Sequence, residues 1–182
     1  ALSGNTGASK GPHIHLEMHK TKSNNLCDPL NFLKSFIKDK TAPAVYSFKS
    51  YPQPGEGVFQ QSPDSRIFTF DKGRFQAWGK VGFGIRANDH MDSVYNNYGV
   101  RYTRLYCDGK LVFASDVNNI PVSCNRMVNS WGDYDHFLHT KIWFMKSFIE
   151  PGNTLPILRA GADRGIINFN QQRDYHLRYV VS

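Results

Sequence analysis

The first clear pattern in the chain is a strict alternation of polar and apolar residues that begins at Pro12. Polar side chains occupy every second position and apolar ones the positions between: His13, His15, Glu17 and His19 against Ile14, Leu16 and Met18. Successive side chains of a β-strand point to opposite faces. The alternation therefore predicts a strand that presents its histidines on one surface and packs its apolar residues into a core.

A short helix is predicted after this strand. Asp28-Pro29 supplies an N-cap and a first-turn proline, and apolar residues recur at helical spacing from Leu30 through Lys38. A charged stretch ending in Pro43 follows, which is typical of a linker between domains. The sequence thus predicts an N-terminal unit, a linker and a second unit, at 1–38, 39–43 and 44–182.

The second unit is predicted to be a β-sandwich. Short runs rich in Val, Ile, Tyr, Phe and Thr recur between Gly, Pro, Asn and Asp clusters, and Asp108-Gly109 between two runs indicates a two-residue hairpin. The predicted strands are Val45–Tyr51, Ile67–Phe70, Lys80–Asn88, Val100–Cys107, Lys110–Ser115, Ile142–Ile149, Leu155–Arg159, Ile166–Asn168 and Tyr175–Val181. Strands of this length with turn signals between them favour an immunoglobulin-like sandwich. Another sandwich or a small barrel is the alternative.

Composition narrows the class of protein. The net charge is +7, from 22 Lys and Arg against 15 Asp and Glu, and no cluster of five or more basic residues occurs. This favours a mildly basic envelope protein over a nucleic-acid binder. No apolar run approaches the roughly 18 residues that a membrane helix needs, so we expect no membrane span.

The histidine strand belongs to a longer motif. It consists of Gly4-x-Thr6-Gly7-x-Ser9-x-Gly11-Pro12-His13-x-His15-x-Glu17, followed by Asp28-Pro29-Leu30-x-Phe32-Leu33. An isolated His-x-His pair is weak evidence, because most such pairs are surface or hydrogen-bonded histidines. The whole string closely resembles the end of the lysostaphin-type zinc endopeptidases, which cut the peptide cross-links of bacterial cell walls. The resemblance covers residues 1–38.

The resemblance implies a role for each of two residues. The second histidine of the family's pair is a zinc ligand, here His15, and the first is a catalytic histidine, here His13. The family takes a His and an Asp from an HxxxD motif and a further catalytic His upstream, and no HxxxD occurs in this chain. We therefore expect residues 1–38 to be the C-terminal remnant of an antiparallel-β peptidase domain. Catalytic zinc usually has three protein ligands, so we expect this chain alone to be inactive.

Three functions follow as expectations. In the first, the chain is part of a zinc metalloendopeptidase that hydrolyses peptidoglycan. Such a protein would be periplasmic or secreted, in the cell envelope, with a possible envelope protein partner. The second is a non-catalytic envelope module of the same family, which binds the wall or regulates a partner. The third places the function in the sandwich, as adhesion or carbohydrate recognition.

Other features carry weaker signals. Cys107 and Cys124 could form a disulfide in an oxidising compartment. The alternative, which has at least equal weight, is that both are buried free thiols. The acidic turns at 88–92 and 133–136 are more typical of helix capping and turn formation than of calcium binding, because neither matches a calcium-loop pattern. Most tryptophans are expected in the core, and the loop at 129–134 is the part of the second unit most suited to a ligand.

Overall fold

The chain folds mainly as antiparallel β-structure. The computed structural model describes residues 4, 11–12, 15–37, 39–71, 73–92 and 94–182. Within them the strands are β1 (Met18–His19), β2 (Leu26–Cys27), β3 (Ala44–Phe59), β4 (Arg66–Phe68), β5 (Ala77–Asn88), β6 (Tyr102–Cys107), β7 (Lys110–Asp116), β8 (Met145–Lys146), β9 (Leu158–Ala160), β10 (Ile167–Phe169) and β11 (Leu177–Val181). The helices are α1 (Leu30–Leu33), a 3₁₀ helix (Val122–Met127), α2 (Val128–Trp131) and α3 (Tyr134–Thr140).

The strands form three sheets, and every pairing in them is antiparallel. A small sheet contains β1 and β2. A five-stranded sheet has the order β10-β5-β3-β4, with β8 also paired to β5. A four-stranded sheet has the order β11-β6-β7-β9.

The long pair β3–β5 is the centre of the larger sheet, and glycines let its two backbones approach closely. A Cβ on Gly57 would lie 2.0 Å from the carbonyl oxygen of Lys80, and one on Gly79 would lie 2.0 Å from that of Glu56. Gly79 also has a φ of +73°, which other residues rarely adopt. The register shifts between Pro52 and Gly57, so the glycines permit an irregularity that bends the pair.

One hydrophobic core joins the two larger sheets. Phe83 and Ile85 of β5 are buried in the same cluster as Leu105 of β6 and Phe113 of β7. Leu105 and Phe113 alternate along their strands with more exposed residues, as expected for a sheet with one face on a core, whereas Phe83 and Ile85 belong to a run of β5 that is buried at every position from 81 to 85. Full burial of a large apolar side chain contributes about 1.5–3 kcal/mol, so this cluster is the main source of stability.

The predicted strands of the second unit all overlap observed strands, and the predicted hairpin is confirmed. Asp108 and Gly109 have φ values of 49° and 77°, which is the left-handed pair that a two-residue hairpin turn requires. Strand β3 extends further than predicted, to Phe59, and the predicted strand at 142–149 shortens to Met145–Lys146. The fold is therefore mainly β, as predicted.

The helices between β7 and β8 were not predicted. Asp133 caps α3 by accepting a hydrogen bond from the backbone N–H of His136 at 3.3 Å, and Lys141 ends the helix with a left-handed φ of 61°. The capping role expected for this acidic turn is therefore confirmed. What the sequence pattern did not indicate is that a helix follows it.

Two expectations for the N-terminal unit need correction. In the described part of this segment the strand begins at Met18, and Leu16, expected in a core, is 55% exposed. Helix α1 ends at Leu33, short of the predicted end, and continues as hydrogen-bonded turns to Ile37. His13 and Lys38 lie outside the described residues.

Candidate functional site

The candidate site is the polar face of the segment that leads into β1. His15, Glu17 and His19 lie on one side of it, as the alternation predicts. The two imidazole Nε2 atoms each lie 3.0 Å from a different carboxylate oxygen of Glu17. His13, the predicted catalytic residue, is outside the part of the chain that the structure describes.

The site is solvent-exposed and its charges are coupled. Hydrogen bonds from His15 and then His19 lower the pKa of Glu17. The hydrogen bond to Glu17, with a further one to the carbonyl oxygen of Asn24, raises the pKa of His19. Glu17 thus favours the protonated form of His19, whereas a metal requires neutral imidazole.

The described residues alone do not fit a zinc ion. Zinc sites need three or four nitrogen, sulfur or oxygen ligands arranged around one point. Among the residues that the structure describes, no group of three or more His, Cys, Asp or Glu side chains could hold a metal ion. His15 has a side chain that is 72% exposed, so it is accessible as one ligand of a site completed by other residues.

A tight turn holds the histidine segment against β2. The backbone N–H of Asn24 donates to the carbonyl of Lys20 at 2.8 Å, and Lys20 donates to the carbonyl of Asn25 at 2.9 Å. Asn24 has a φ of 54°, a left-handed conformation that asparagine tolerates better than most residues. The register of β1 and β2, and with it the position of His19, follows from this turn.

The N-terminal segment is attached to the second unit by several contacts. Leu26 and Ile120 exchange two backbone hydrogen bonds of 2.8 and 2.9 Å. Arg101 lies 2.5 Å from Asp28 and 2.9 Å from Asp116, and these ion pairs are largely buried on the Arg101 and Asp28 sides. Arg101 thus links the two predicted units, a role that no sequence pattern indicated.

A second cluster of polar groups lies beneath helix α3. Lys49 Nζ lies 2.6 Å from Asp133 Oδ2, and the hydroxyl of Tyr51 donates to the same oxygen at 2.8 Å. Burial alone would raise the pKa of Asp133, but the hydrogen bonds from Lys49 and Tyr51 outweigh it and lower the pKa. Burial, followed by the charge of Asp133, raises the pKa of Tyr51. These groups are mutually satisfied and fix the helix on the sheet.

His136 is the exception in this cluster. Its Nε2 atom is buried and has no hydrogen-bond partner among the residues that the structure describes. Burial and then the nearby charge of Lys49 lower the pKa of His136, so the ring is neutral near pH 7. Its ring packs against Phe144 with 5.4 Å between centroids. A neutral histidine against an aromatic ring fits a packing role here.

The structure shows the burial of two features that the sequence singled out, the loop at 129–134 and the cysteines. Trp131 is buried and its indole N–H donates to the carbonyl of Lys146 at 3.0 Å, so this ring is not available to a ligand, whereas Tyr134 at the end of the loop is exposed. Trp78, by contrast, is 57% exposed. Cys27, Cys107 and Cys124 are free, half-buried thiols, which agrees with the second of the two alternatives for them.

Comparisons of the chain with protein-family models, with curated proteins and with solved structures find no match. No helix in the described part of the chain is long and apolar enough to cross a membrane. The function is therefore inferred from the residues and their geometry.

Proposed function

We propose that this chain is part of a zinc metalloendopeptidase of the bacterial cell envelope that hydrolyses peptide cross-links of peptidoglycan. In this proposal residues 1–38 are the C-terminal remnant of a lysostaphin-type peptidase domain and residues 44–182 an immunoglobulin-like β-sandwich. The protein acts in the periplasm or outside the cell.

The single observation that carries the proposal is the motif from Gly4 to Glu17. All of its glycines, both histidines of the pair and the glutamate are present at the family's spacing. The exposed imidazole of His15 supports a ligand role, because a residue that shares a metal with another segment must be reachable by it. His13 is proposed as the catalytic histidine on the strength of the motif alone.

Two larger antiparallel sheets with a common core support the sandwich part of the proposal. The Arg101–Asp28 ion pair gives the sandwich a specific role, because it ties the segment that carries His15 to a rigid body. A segment held in this way keeps its orientation relative to the sandwich.

The described residues contain one proposed zinc ligand, His15, and not the three protein ligands that a catalytic zinc site usually has. The remaining ligands, as the resemblance implies, come from an HxxxD motif that this sequence does not contain. The 182-residue chain alone is accordingly proposed to be inactive. Activity belongs to a longer parent protein or to a complex that supplies the missing segment.

Hydrolysis of purified peptidoglycan by the parent protein tests the proposal. Products are separated by chromatography and identified by mass. We expect His15→Ala and His13→Ala each to lower the rate by about 10²–10⁴-fold, the range for loss of a catalytic group. His139→Ala is the matched control, since this exposed histidine lies on α3. An active His15→Ala enzyme would overturn the zinc-ligand assignment.

The alternative function is a non-catalytic envelope module of the same family. The observation that favours it is the engagement of both His15 and His19 by Glu17, which leaves no preformed metal group in the described residues. This alternative predicts that the parent protein co-sediments with peptidoglycan but releases no fragments from it. An intact upstream HxxxD motif with measurable hydrolysis would exclude it.

A further inference from the structure

A large cleft opens between residues of the two larger sheets, beside the edge strand β11. Its volume is about 1200 Å³, and the residues that line it come from β3, β5 and β11, from positions 60, 70 and 73–76, from Phe169 at the end of β10, and from 173–176. A volume of this order exceeds the roughly 300–1,000 Å³ of typical small-molecule sites. The cleft therefore has room for a sizeable ligand.

The floor of the cleft is aromatic. Phe48, Phe59, Phe83 and Phe169 line it, and each is at most 6% exposed. Phe75 completes this floor, with its ring centroid 5.1 Å from that of Phe48. Phenylalanine rings offer no conventional hydrogen-bond donor or acceptor, so a sugar or another hydroxyl-rich ligand would lose hydrogen bonds to water on entering. The floor favours a hydrocarbon chain.

Apolar side chains also lead into the cleft from its mouth. Val45, Phe70 and Leu177 line it and are 42%, 48% and 39% exposed. They come from three separate stretches of the chain yet converge on one opening. Contiguous exposed apolar surface rimmed by polar groups is typical of a binding site.

The mouth carries an excess of positive charge. The charged residues of the cleft lining are Arg74, Arg173 and Arg178 against Asp174, and Asp108 pairs with Arg173, so the net formal charge of this group is +1. Arg173 is held in place, because it lies 2.8 Å from Asp108 and its guanidinium stacks 3.7 Å above the ring of Tyr175. A positioned arginine at an apolar opening suits an anionic group such as a carboxylate.

We propose that this cleft binds an amphiphile with one hydrocarbon chain and an anionic head group, of the long-chain carboxylate class. The chain lies against the exposed apolar residues of the opening, Val45, Phe70 and Leu177, above the phenylalanine floor. The head group stays at the mouth near Arg74 and Arg173. The cleft is lined by residues between 45 and 181, so this site is independent of the peptidase proposal.

Binding of dodecanoate to the 182-residue chain, measured by isothermal titration calorimetry below the micelle concentration, tests the proposal. Dodecyltrimethylammonium has the same hydrocarbon chain with the opposite charge and serves as the comparison probe. We expect one dodecanoate per chain, bound at least tenfold more tightly than the cation. The preference should shrink as salt is raised, because exposed charges are screened.

Two variants locate the site. Leu177→Glu places a negative charge in the apolar mouth and should weaken dodecanoate binding at least tenfold, while Leu111→Glu, also an exposed leucine on the four-stranded sheet, should not. Arg74→Glu should weaken dodecanoate binding about threefold to tenfold, the range for an exposed charge, and Arg159→Glu on β9 should not. All four positions are exposed, so the fold is retained, which circular dichroism checks.

Binding of dodecanoate that follows this pattern supports the site. Absent binding overturns the proposal, and so does equal affinity for the cation. Equal effects of Leu177→Glu and Leu111→Glu overturn the placement in the cleft. If Leu177→Glu fails to fold, the comparison of Arg74→Glu with Arg159→Glu decides alone.

Discussion

Replacing Asp133 by asparagine removes the negative charge that Lys49 faces beneath helix α3. The two side chains are 11% and 12% exposed and their charged atoms lie 2.6 Å apart. Asparagine retains an oxygen that accepts from the backbone N–H of His136, so the helix keeps its cap. The variant therefore keeps the cap but removes the charge together with the oxygen that accepts from the Tyr51 hydroxyl.

The expected cost is about 3 kcal/mol in the free energy of unfolding, at the lower end of the range for breaking a buried ion pair. The ammonium group of Lys49 stays buried without its counterion, which is the source of the cost. For a chain of this size such a loss lowers Tm by about 6–12 °C. Urea denaturation followed by circular dichroism measures the free energy directly.

Two further variants separate charge burial from other effects. Glu56→Gln breaks an ion pair with Lys80 that is about half exposed, and should cost at most about 1 kcal/mol. Adding Lys49→Met to Asp133→Asn removes both charges and should recover at least about 1 kcal/mol. A cost for Asp133→Asn no larger than that of Glu56→Gln, or no recovery in the double variant, would refute this reasoning.

The same pair predicts a pH dependence. The folded protein holds the pKa of Asp133 below its usual value, although burial alone would raise it. Such a group stabilises the fold above the pKa of the unfolded state, about 3.9, and this stabilisation is lost as pH falls through the folded pKa. The stability difference between the wild type and Asp133→Asn should stay constant near neutral pH and shrink only below about pH 4.

Three other variants test the account elsewhere. Arg101→Ala should speed amide hydrogen exchange at residues 25–31, because it leaves Asp28 largely buried without its partner. Gly79→Ala should cost at least about 1–2 kcal/mol in a urea titration, because of its φ of +73° and the close neighbouring carbonyl. Glu17→Gln should lower the pKa of His19 towards its usual value in an NMR titration, since the hydrogen bond to Glu17 is the main cause of its elevation.

Each of these has a control. Arg159→Ala removes an exposed arginine from β9 and should leave exchange at 25–31 unchanged. At Gly99 a Cβ would meet no atom within 4 Å, so Gly99→Ala should be near neutral. The ring proton signals of His139, which lies with its partner Asp135 on α3, should be unchanged by Glu17→Gln at a fixed pH. If a control changes the measured quantity as much as its test variant does, the corresponding prediction is contradicted.

The sequence predicted those parts of the fold that depend on local chemistry. The Asp108-Gly109 hairpin is encoded by two residues that tolerate left-handed φ values. The strands were found because short runs rich in β-branched and aromatic residues are separated by clusters of Gly, Pro, Asn and Asp. The N-cap role of Asp133 was also predictable from its position in an acidic turn.

The parts that were missed depend on contacts between distant residues. Helices α2 and α3 span only Val128–Trp131 and Tyr134–Thr140, too short for a helical period to show, and α3 is held by Lys49 from 84 positions away. Leu16 was predicted in a core because alternation identifies a face without showing whether anything covers it. The cleft could not be predicted, since Phe169 and the 173–181 segment meet phenylalanines that lie between positions 48 and 83, far away in the sequence.

The most direct test of the central claim is native mass spectrometry of the parent protein, of its His15→Ala variant and of the 182-residue chain. It reports covalent mass and bound zinc together. The account predicts one zinc in the parent protein and none in the other two, with His139→Ala retaining its zinc. A His15→Ala parent that keeps one zinc would contradict the assignment of His15 and, with it, the peptidase proposal.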